Sequence, residues 1–179
     1  MRSCFPFEEV FGLSIIDEIK QANERYAETF DASNIPMPPR KHLVILTCMD
    51  ARIYPNKIFG LREGDAHIIR NAGARAADAI RSLALSQELQ GTREIIVLHH
   101  RNCGLLAPTN SEIRTRLVQS LGEQATQPAA QIDFLPWPNV EQALRNEVYN
   151  IRTSPLIRPG TPITGFIYDE QTGLIHQVD

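Results

Sequence analysis

Two short clusters of metal-binding and charged side chains are the chemically most informative feature of this sequence. The first reads Cys48-Met-Asp50-Ala-Arg52, and the second reads His100-Arg-Asn-Cys103. Two thiols and an imidazole form a soft donor set that suits a tetrahedral Zn²⁺ site. Because three protein ligands leave the fourth position for water, we expect a catalytic zinc site rather than a structural one.

Each cluster directly follows a short, continuous apolar run. Residues 42–47 read His-Leu-Val-Ile-Leu-Thr, and residues 94–99 read Glu-Ile-Ile-Val-Leu-His. Their length and β-branched content favour strands that are buried on both faces. Ligands of open α/β sheets bind at the carboxyl ends of the strands, so we expect the two clusters to meet there.

The two adjacent histidines, His99 and His100, cannot both reach one ion, because neighbouring residues on a strand point to opposite faces. The His-x-x-Cys spacing selects His100 as the ligand. We expect His99 to be a core histidine whose ring is satisfied by the backbone.

The acidic and basic residues of the first cluster predict a second function beside the metal. Asp50 is placed to accept a hydrogen bond from the metal's water and to orient it, and Arg52 would keep Asp50 ionised through a charge-assisted pair. Alternatively, Asp50 itself takes the fourth position in a resting state. In that case Arg52 would draw the carboxylate away from the metal.

The remaining pattern predicts an α/β fold with a mostly parallel sheet flanked by helices, because strands alternate with helices. A further strand is expected over residues 66–70, and a C-terminal hairpin over residues 163–169 and 174–178. Helices are expected over residues 7–32, 76–90, 110–121 and 139–151, with a long loop over residues 122–138. We expect one domain over residues 1–179, in which residues 1–35 form an N-terminal helical arm.

Composition excludes several functional classes. With 18 basic and 21 acidic residues, the net charge of −3 gives no reason to expect nucleic acid or an anionic membrane as a partner. No apolar run approaches the roughly 20 residues that span a bilayer, and the first residues do not have the pattern of a secretory signal. The three cysteines do not form a disulfide framework, and Cys4 is expected to be an ordinary free thiol. We therefore expect a soluble, cytoplasmic protein.

Together the two clusters resemble the signatures of the β-carbonic anhydrases. Residues 64–73, which read Gly-Asp-Ala-His-Ile-Ile-Arg-Asn-Ala-Gly, are similar to the strand and Arg-Asn pair of that family. The resemblance covers about residues 40–106. It implies zinc held by Cys48, His100 and Cys103, an Asp50–Arg52 dyad, and a homodimer or dimer of dimers in which the N-terminal helix embraces a partner.

Two departures from the family pattern point to a divergent branch. Asn102 stands where the family usually has aspartate, and residues 37–42 offer no glutamine of the kind that contacts substrate in many members. The sequence therefore also resembles the carbonyl sulfide and carbon disulfide hydrolases of this family.

We expect reversible hydration of CO₂ to bicarbonate by zinc-bound hydroxide, with hydrolysis of carbonyl sulfide to CO₂ and H₂S as the alternative. Both substrates are small, linear and neutral, with an electrophilic carbon that hydroxide attacks. A hydrophobic pocket separates such near-isosteres by only about 1–3 kcal/mol. A more remote alternative is a non-catalytic zinc or redox module in which Cys48 and Cys103 sense oxidants.

Overall fold

The computed structural model describes residues 14–178, and the chain divides into two compact units between Ile35 and Pro36. The first unit contains helix α1 (Ile15–Thr29), which begins where the Ser14 side chain accepts a hydrogen bond from the Asp17 N–H. A short 3₁₀ turn over Ala32–Asn34 follows. Cys4 and the first part of the helix expected over residues 7–32 lie outside the described residues. The expectation of one domain with an N-terminal arm stays a prediction.

The second unit is built on a five-stranded sheet with the order β2-β1-β3-β4-β5. Its strands are β1 (Leu43–Cys48), β2 (Ala66–Asn71), β3 (Glu94–His100), β4 (Ile163–Tyr168) and β5 (Ile175–Val178). The first four strands run parallel, and β5 pairs antiparallel with β4. The expected mostly parallel sheet and the C-terminal hairpin are therefore confirmed.

The helices of the second unit are α2 (Pro55–Ile58), α3 (Ile80–Gln90), α4 (Asn110–Leu121), α5 (Thr126–Ala130) and α6 (Val140–Thr153). The bounds of α4 match the prediction, and α3 and α6 differ from it by a few residues at their ends. Within the described residues, no helix is both long and apolar enough to cross a membrane.

The prediction of a long loop over residues 122–138 is wrong in its first half. A 3₁₀ turn over Glu123–Ala125 leads into α5, where Ala129 is buried. Neither element is long enough to carry a repeating apolar pattern, so tertiary burial rather than periodicity decides their conformation.

The hydrophobic core lies where α3 and α6 pack against one face of the sheet. From the sheet come Val44, Leu46, Ile95 and Val97, and from the helices come Leu83, Leu144 and Ile151. On β4, Ile167 belongs to this core. Its neighbour Phe166 contacts Phe59, with ring centroids 6.0 Å apart. Every residue of β1 is buried, as predicted for a strand covered on both faces.

The strand order creates a crevice between the carboxyl ends of β1 and β3. From β1 the chain moves to β2 on one side, and it then crosses to β3 on the other side of β1. Loops that leave two neighbouring strands in opposite directions leave space between them, and ligands of open α/β sheets bind in such a crevice.

Gly73 shapes the turn that borders this crevice after β2. Its backbone has φ +77°, and a Cβ built there would lie 2.4 Å from the Trp137 ring and 2.7 Å from the Leu105 side chain. The Asn71 side chain closes the same turn, because it accepts from the Arg75 N–H at 2.7 Å and donates to the Arg75 carbonyl at 2.8 Å. Only glycine fits this position without moving the indole.

We expect Gly73→Ala to lower the free energy of unfolding by more than a left-handed backbone alone explains. Gly91→Ala is the matched control, because Gly91 has φ +68° but open space around its Cα. The control should lose about 1 kcal/mol from backbone strain, and Gly73→Ala about 1–3 kcal/mol more from overpacking. Urea unfolding of both variants measures the difference. Equal losses of unfolding free energy would show that the Trp137 ring moves aside without an energetic penalty.

Candidate metal centre

The structure brings together the three metal ligands expected from the sequence. Cys48 is the last residue of β1, His100 is the last residue of β3, and Cys103 lies in the loop that follows. Their ligand atoms all lie within 4.8 Å of one another, and the two sulfur atoms are 4.0 Å apart. All three side chains are buried, so the group forms a compact S₂N donor set at the crevice.

The two thiols influence each other's protonation strongly. The Cys103 thiol lowers the pKa of Cys48, against the effect of burial, and backbone N–H groups of Asp50 and Gly73 also contact the Cys48 sulfur. The same thiol contact, together with burial, raises the pKa of Cys103. The contact therefore favours a thiolate at Cys48 beside a thiol at Cys103. A bound cation would displace the remaining thiol proton, since thiol ligands bind metal as thiolates.

The imidazole of His100 presents one nitrogen to this group. Its Nδ1 lies 2.5 Å from Glu170 Oε1, whereas its Nε2 is buried and makes no hydrogen bond of good geometry to the described residues, although the ring interacts with the Cys48 thiol. A buried ring nitrogen without a partner is costly unless a ligand satisfies it. Together with the two sulfurs, this nitrogen completes three donors that could hold a metal ion.

Asp50 and Arg52 form a two-pronged ion pair beside the ligand group. Arg52 Nε lies 2.9 Å from Asp50 Oδ1, and Arg52 Nη2 lies 2.7 Å from Oδ2. These hydrogen bonds hold the pKa of Asp50 well below its ordinary value. Arg52 Nη2 also donates to the Asn102 carbonyl at 2.9 Å, which joins the two sequence clusters. The carboxylate that the sequence left as a possible fourth ligand is thus held by arginine.

Two charged residues for which the sequence predicts no role, Arg70 and Glu170, support the site. Arg70 at the end of β2 donates to the carbonyls of Cys48 at 3.1 Å and Asp50 at 2.7 Å, so it holds the backbone of the first cluster. Glu170 contacts His100 and also accepts from the Asn102 N–H at 3.0 Å. The only signal for Glu170 was an acidic residue just beyond a strand that ends at the same edge of the sheet.

An apolar wall lies against the two sulfur atoms. Trp137 and Ala143 are buried with Cys48 and Cys103, and two half-buried leucines, Leu105 and Leu106, pack on this cluster. The wall combines the loop after β3 with the start of α6 and the loop before it. No spacing in the sequence indicated that Trp137 would reach the thiols.

Trp137 also connects the site to a buried ion pair. One face of its indole stacks on His99, with centroids 5.1 Å apart, and the guanidinium of Arg75 lies 5.2 Å from the ring centroid. Arg75 Nη1 lies 2.7 Å from Glu147 Oε1. Burial raises the pKa of Glu147, against the Ala76 N–H and Arg75, so this carboxylate depends on those two partners.

Similarity to known proteins identifies the family of this chain. The protein family described as carbonic anhydrase matches residues 43–175 of the chain. The beta-carbonic anhydrase 1 of Mycobacterium tuberculosis is 37% identical over 167 residues, which cover 93% of this chain and 99% of the relative. The chain belongs to the β-carbonic anhydrase family.

Two further proteins, one with a different named activity and one with a solved structure, are also similar to this chain. The carbon disulfide hydrolase of an Acidianus strain is 36% identical over 159 residues, which cover 76% of each chain. The crystal structure of the carbonic anhydrase from Streptococcus mutans superposes with a TM-score of 0.86 at 38% identity, covering 94% of this chain and 99% of the other. The α/β fold expected from the sequence is therefore the fold that this carbonic anhydrase has.

His99 is a core residue as predicted, with 1% of its surface exposed, but neither ring nitrogen makes a hydrogen bond of good geometry to the described residues, so the expected satisfaction of the ring by the backbone is not found. Burial lowers its pKa from 6.5 to about 4, Arg75 adds to this effect, and a backbone contact with Ala74 opposes it. Between these two pH values the unfolded chain binds a proton at His99 that the folded chain does not bind. The stability that neutral His99 contributes is therefore present above about pH 6.5 and is lost as the pH falls toward 4.

We expect this β-carbonic anhydrase homologue to lose about 3 kcal/mol of unfolding free energy between pH 6.5 and pH 4 through His99. The measurement is urea unfolding at several pH values for the wild type and for His99→Leu, whose slope in this interval should be shallower. His176→Gln, which changes an exposed histidine on β5, serves as the control and should keep the wild-type slope. Parallel slopes for wild type and His99→Leu would contradict the assignment.

Proposed function

We propose that this protein is a zinc enzyme that reversibly hydrates CO₂ to bicarbonate, with Cys48, His100 and Cys103 as the metal ligands. The observation that carries the proposal is the buried S₂N group, whose ligand atoms lie within 4.8 Å of one another, beside a carboxylate paired with arginine. Three protein ligands leave a fourth position for water, which is typical of catalytic zinc sites. A zinc ion bound there supplies a strong lowering of the pKa of water, so that hydroxide is available at neutral pH.

The role of Asp50 in this proposal is to accept a hydrogen bond from the reacting water and to orient it toward the substrate. The low pKa of Asp50 keeps its carboxylate ionised and therefore able to accept. Arg52 binds both carboxylate oxygens, so it would compete with a metal ion for them. The pairing in this structure supports water rather than Asp50 as the fourth ligand.

The neighbouring apolar wall supports a small neutral substrate. Trp137, Leu105 and Leu106 place hydrocarbon and aromatic surface against the two sulfur atoms. An apolar surface next to the metal favours neutral CO₂ and offers no charge to retain the bicarbonate product. The proposed partner is therefore a small-molecule substrate and not a nucleic acid or a membrane.

Hydrolysis of a sulfur analogue of CO₂ is the second candidate function. A 36% identical relative is named a carbon disulfide hydrolase, so a protein similar to this chain acts on a sulfur analogue of CO₂. Carbonyl sulfide and carbon disulfide have the same linear shape and electrophilic carbon as CO₂. The choice between them depends on the width and polarity of the pocket, where such small differences are worth only about 1–3 kcal/mol.

The first unit supports assembly into a homodimer or a dimer of dimers. Helix α1 has no buried residue, and its apolar side chains Ile15, Ile16 and Ile19 are each more than half exposed. Contiguous exposed apolar side chains of this kind mark protein–protein contacts. We infer that a second copy of the chain covers them. The cytoplasmic location expected from the sequence stays a prediction.

Stopped-flow CO₂ hydration of the zinc-loaded protein, followed with a pH indicator, tests the function. We expect a zinc-dependent rate well above background, and Asp50→Asn should keep zinc but lower kcat about 100-fold, the usual range for losing a positioned proton acceptor. A wild-type rate near background with release of H₂S from carbonyl sulfide would favour the second candidate. Bound zinc with neither activity would favour the non-catalytic zinc or redox module.

Zinc content tests the ligand set separately from catalysis. Cys103→Ser should lose most of the bound zinc, because serine offers a neutral hydroxyl in place of a thiolate. Metal analysis after gel filtration measures the loss, and Cys4→Ser is the matched control that should keep wild-type zinc. Full occupancy with normal activity in Cys103→Ser would contradict the assignment of Cys103.

A further inference from the structure

Glu170 lies at the meeting point of the three loops that form the site. It follows β4 by two residues, and β4 pairs with β3 so that His100 lies opposite Tyr168. The Glu170 side chain is only 6% exposed and the His100 side chain 2%. A carboxylate buried to this extent needs partners, because an unpaired charge in the interior is strongly disfavoured.

A single oxygen of the Glu170 carboxylate, Oε1, contacts residues of both sequence clusters. Oε1 lies 2.5 Å from His100 Nδ1, accepts from the Asn102 N–H at 3.0 Å and lies 3.9 Å from Arg52 Nη2. Because this oxygen receives the hydrogen of the Asn102 N–H, it acts as an acceptor toward both clusters.

From these contacts we propose that Glu170 is a positioning residue that sets the tautomer and orientation of His100. Since Oε1 is an acceptor, Nδ1 must carry the hydrogen of their 2.5 Å contact, and the neutral ring then presents the lone pair of Nε2 toward the two sulfur atoms. A ligating histidine held in this way is a better donor, and loss of such a partner typically weakens metal binding 10–100-fold. The inference rests on the proposed ligand role of His100, not on the identity of the substrate.

The same oxygen ties the metal ligand to the residues that orient water. Arg52 bridges Asp50 and the Asn102 carbonyl, while Glu170 holds the Asn102 N–H from the other side. Both contacts of Asn102 use its backbone, so the asparagine side chain itself takes no part in them. Glu170 thereby limits the movement of the loop that carries Cys103 and supports the placement of Arg52.

The hairpin holds Glu170 in place through its neighbour. The Asp169 side chain accepts from the N–H groups of Gln171 at 2.9 Å and Thr172 at 3.2 Å, and the Asp169 N–H donates to the Leu174 carbonyl at 2.9 Å. These contacts define the turn between β4 and β5. Glu170 therefore projects from a turn that is closed without its own side chain, which makes it possible to change the residue and keep the turn.

The test compares the wild type with Glu170→Leu and Glu170→Gln in two measurements. Competition with a chromogenic chelator gives the zinc Kd, and ¹⁵N NMR of the metal-free protein reports which nitrogen of His100 carries hydrogen. We expect Glu170→Leu to raise the zinc Kd 10–100-fold and to lose the pure Nδ1–H tautomer. Glu170→Gln keeps an acceptor oxygen but no charge, so it should keep the tautomer and raise the Kd by about 3- to 10-fold, below the range expected for loss of the partner.

Asp169→Asn is the matched control, because it removes one negative charge from the same turn and keeps the acceptor oxygen that closes it. Its zinc Kd and its His100 tautomer should equal those of the wild type. A Glu170→Leu variant with wild-type Kd, or with a weakened Kd and an unchanged tautomer, would overturn the proposal. If Glu170→Leu fails to fold, an unchanged zinc Kd in Glu170→Gln would overturn the proposal.

The outcome is separable from that of the proposed function. Neither measurement uses CO₂ or a sulfur substrate, and the tautomer is observed without any metal. A wild type that binds zinc but hydrates nothing would refute the proposed activity and leave the role of Glu170 intact.

Discussion

The parallel pairing of β1 with β3 is the constraint on which the rest of the site depends. Their register runs from Leu43 opposite Glu94 to Thr47 opposite Leu98, and the Thr47 hydroxyl donates to the Leu98 carbonyl at 3.0 Å. A slip of one residue would turn every side chain of a strand to the other face of the sheet. β1 is buried along its whole length, so such a slip would force side chains of different shape to repack on both faces of the sheet. The ladder thereby brings a thiol and an imidazole from distant parts of the sequence to one edge.

Charged side chains then hold the loops that leave this edge. Arg70 binds the backbone of the first loop, Arg52 bridges the first loop to the second, and Glu170 reaches the second loop from the third. Each of these hydrogen bonds involves a charged group, which makes it stronger than a neutral one. A site organised before the metal binds loses less conformational entropy when it does so, and its reacting groups are already oriented. Rigidity here comes from cross-links between loops rather than from long secondary structure.

The apolar side of the site connects the candidate ligands to the core. Trp137 separates the thiols from the Arg75–Glu147 pair and stacks on His99, so one indole contacts the ligand group and a buried ion pair. Close packing on this side leaves little room for adjustment, so under the proposed function the size of a neutral linear substrate is the natural basis of discrimination. The difference between oxygen and sulfur in that substrate is small on this scale.

The sequence by itself determined the chemistry of the site, because ligand types, their local spacing and the strands before them are all encoded in short segments. Cys48, Asp50 and Arg52 follow one continuous apolar run, His100 and Cys103 follow another, and both runs form buried strands as predicted. Only the tertiary structure decided which side chains surround these residues. Glu170 reaches His100 through the placement of β4 beside β3, and Trp137 reaches the thiols through the packing of the chain around α6. Strand order and long-range packing depend on burial across the whole molecule, and no local pattern records them.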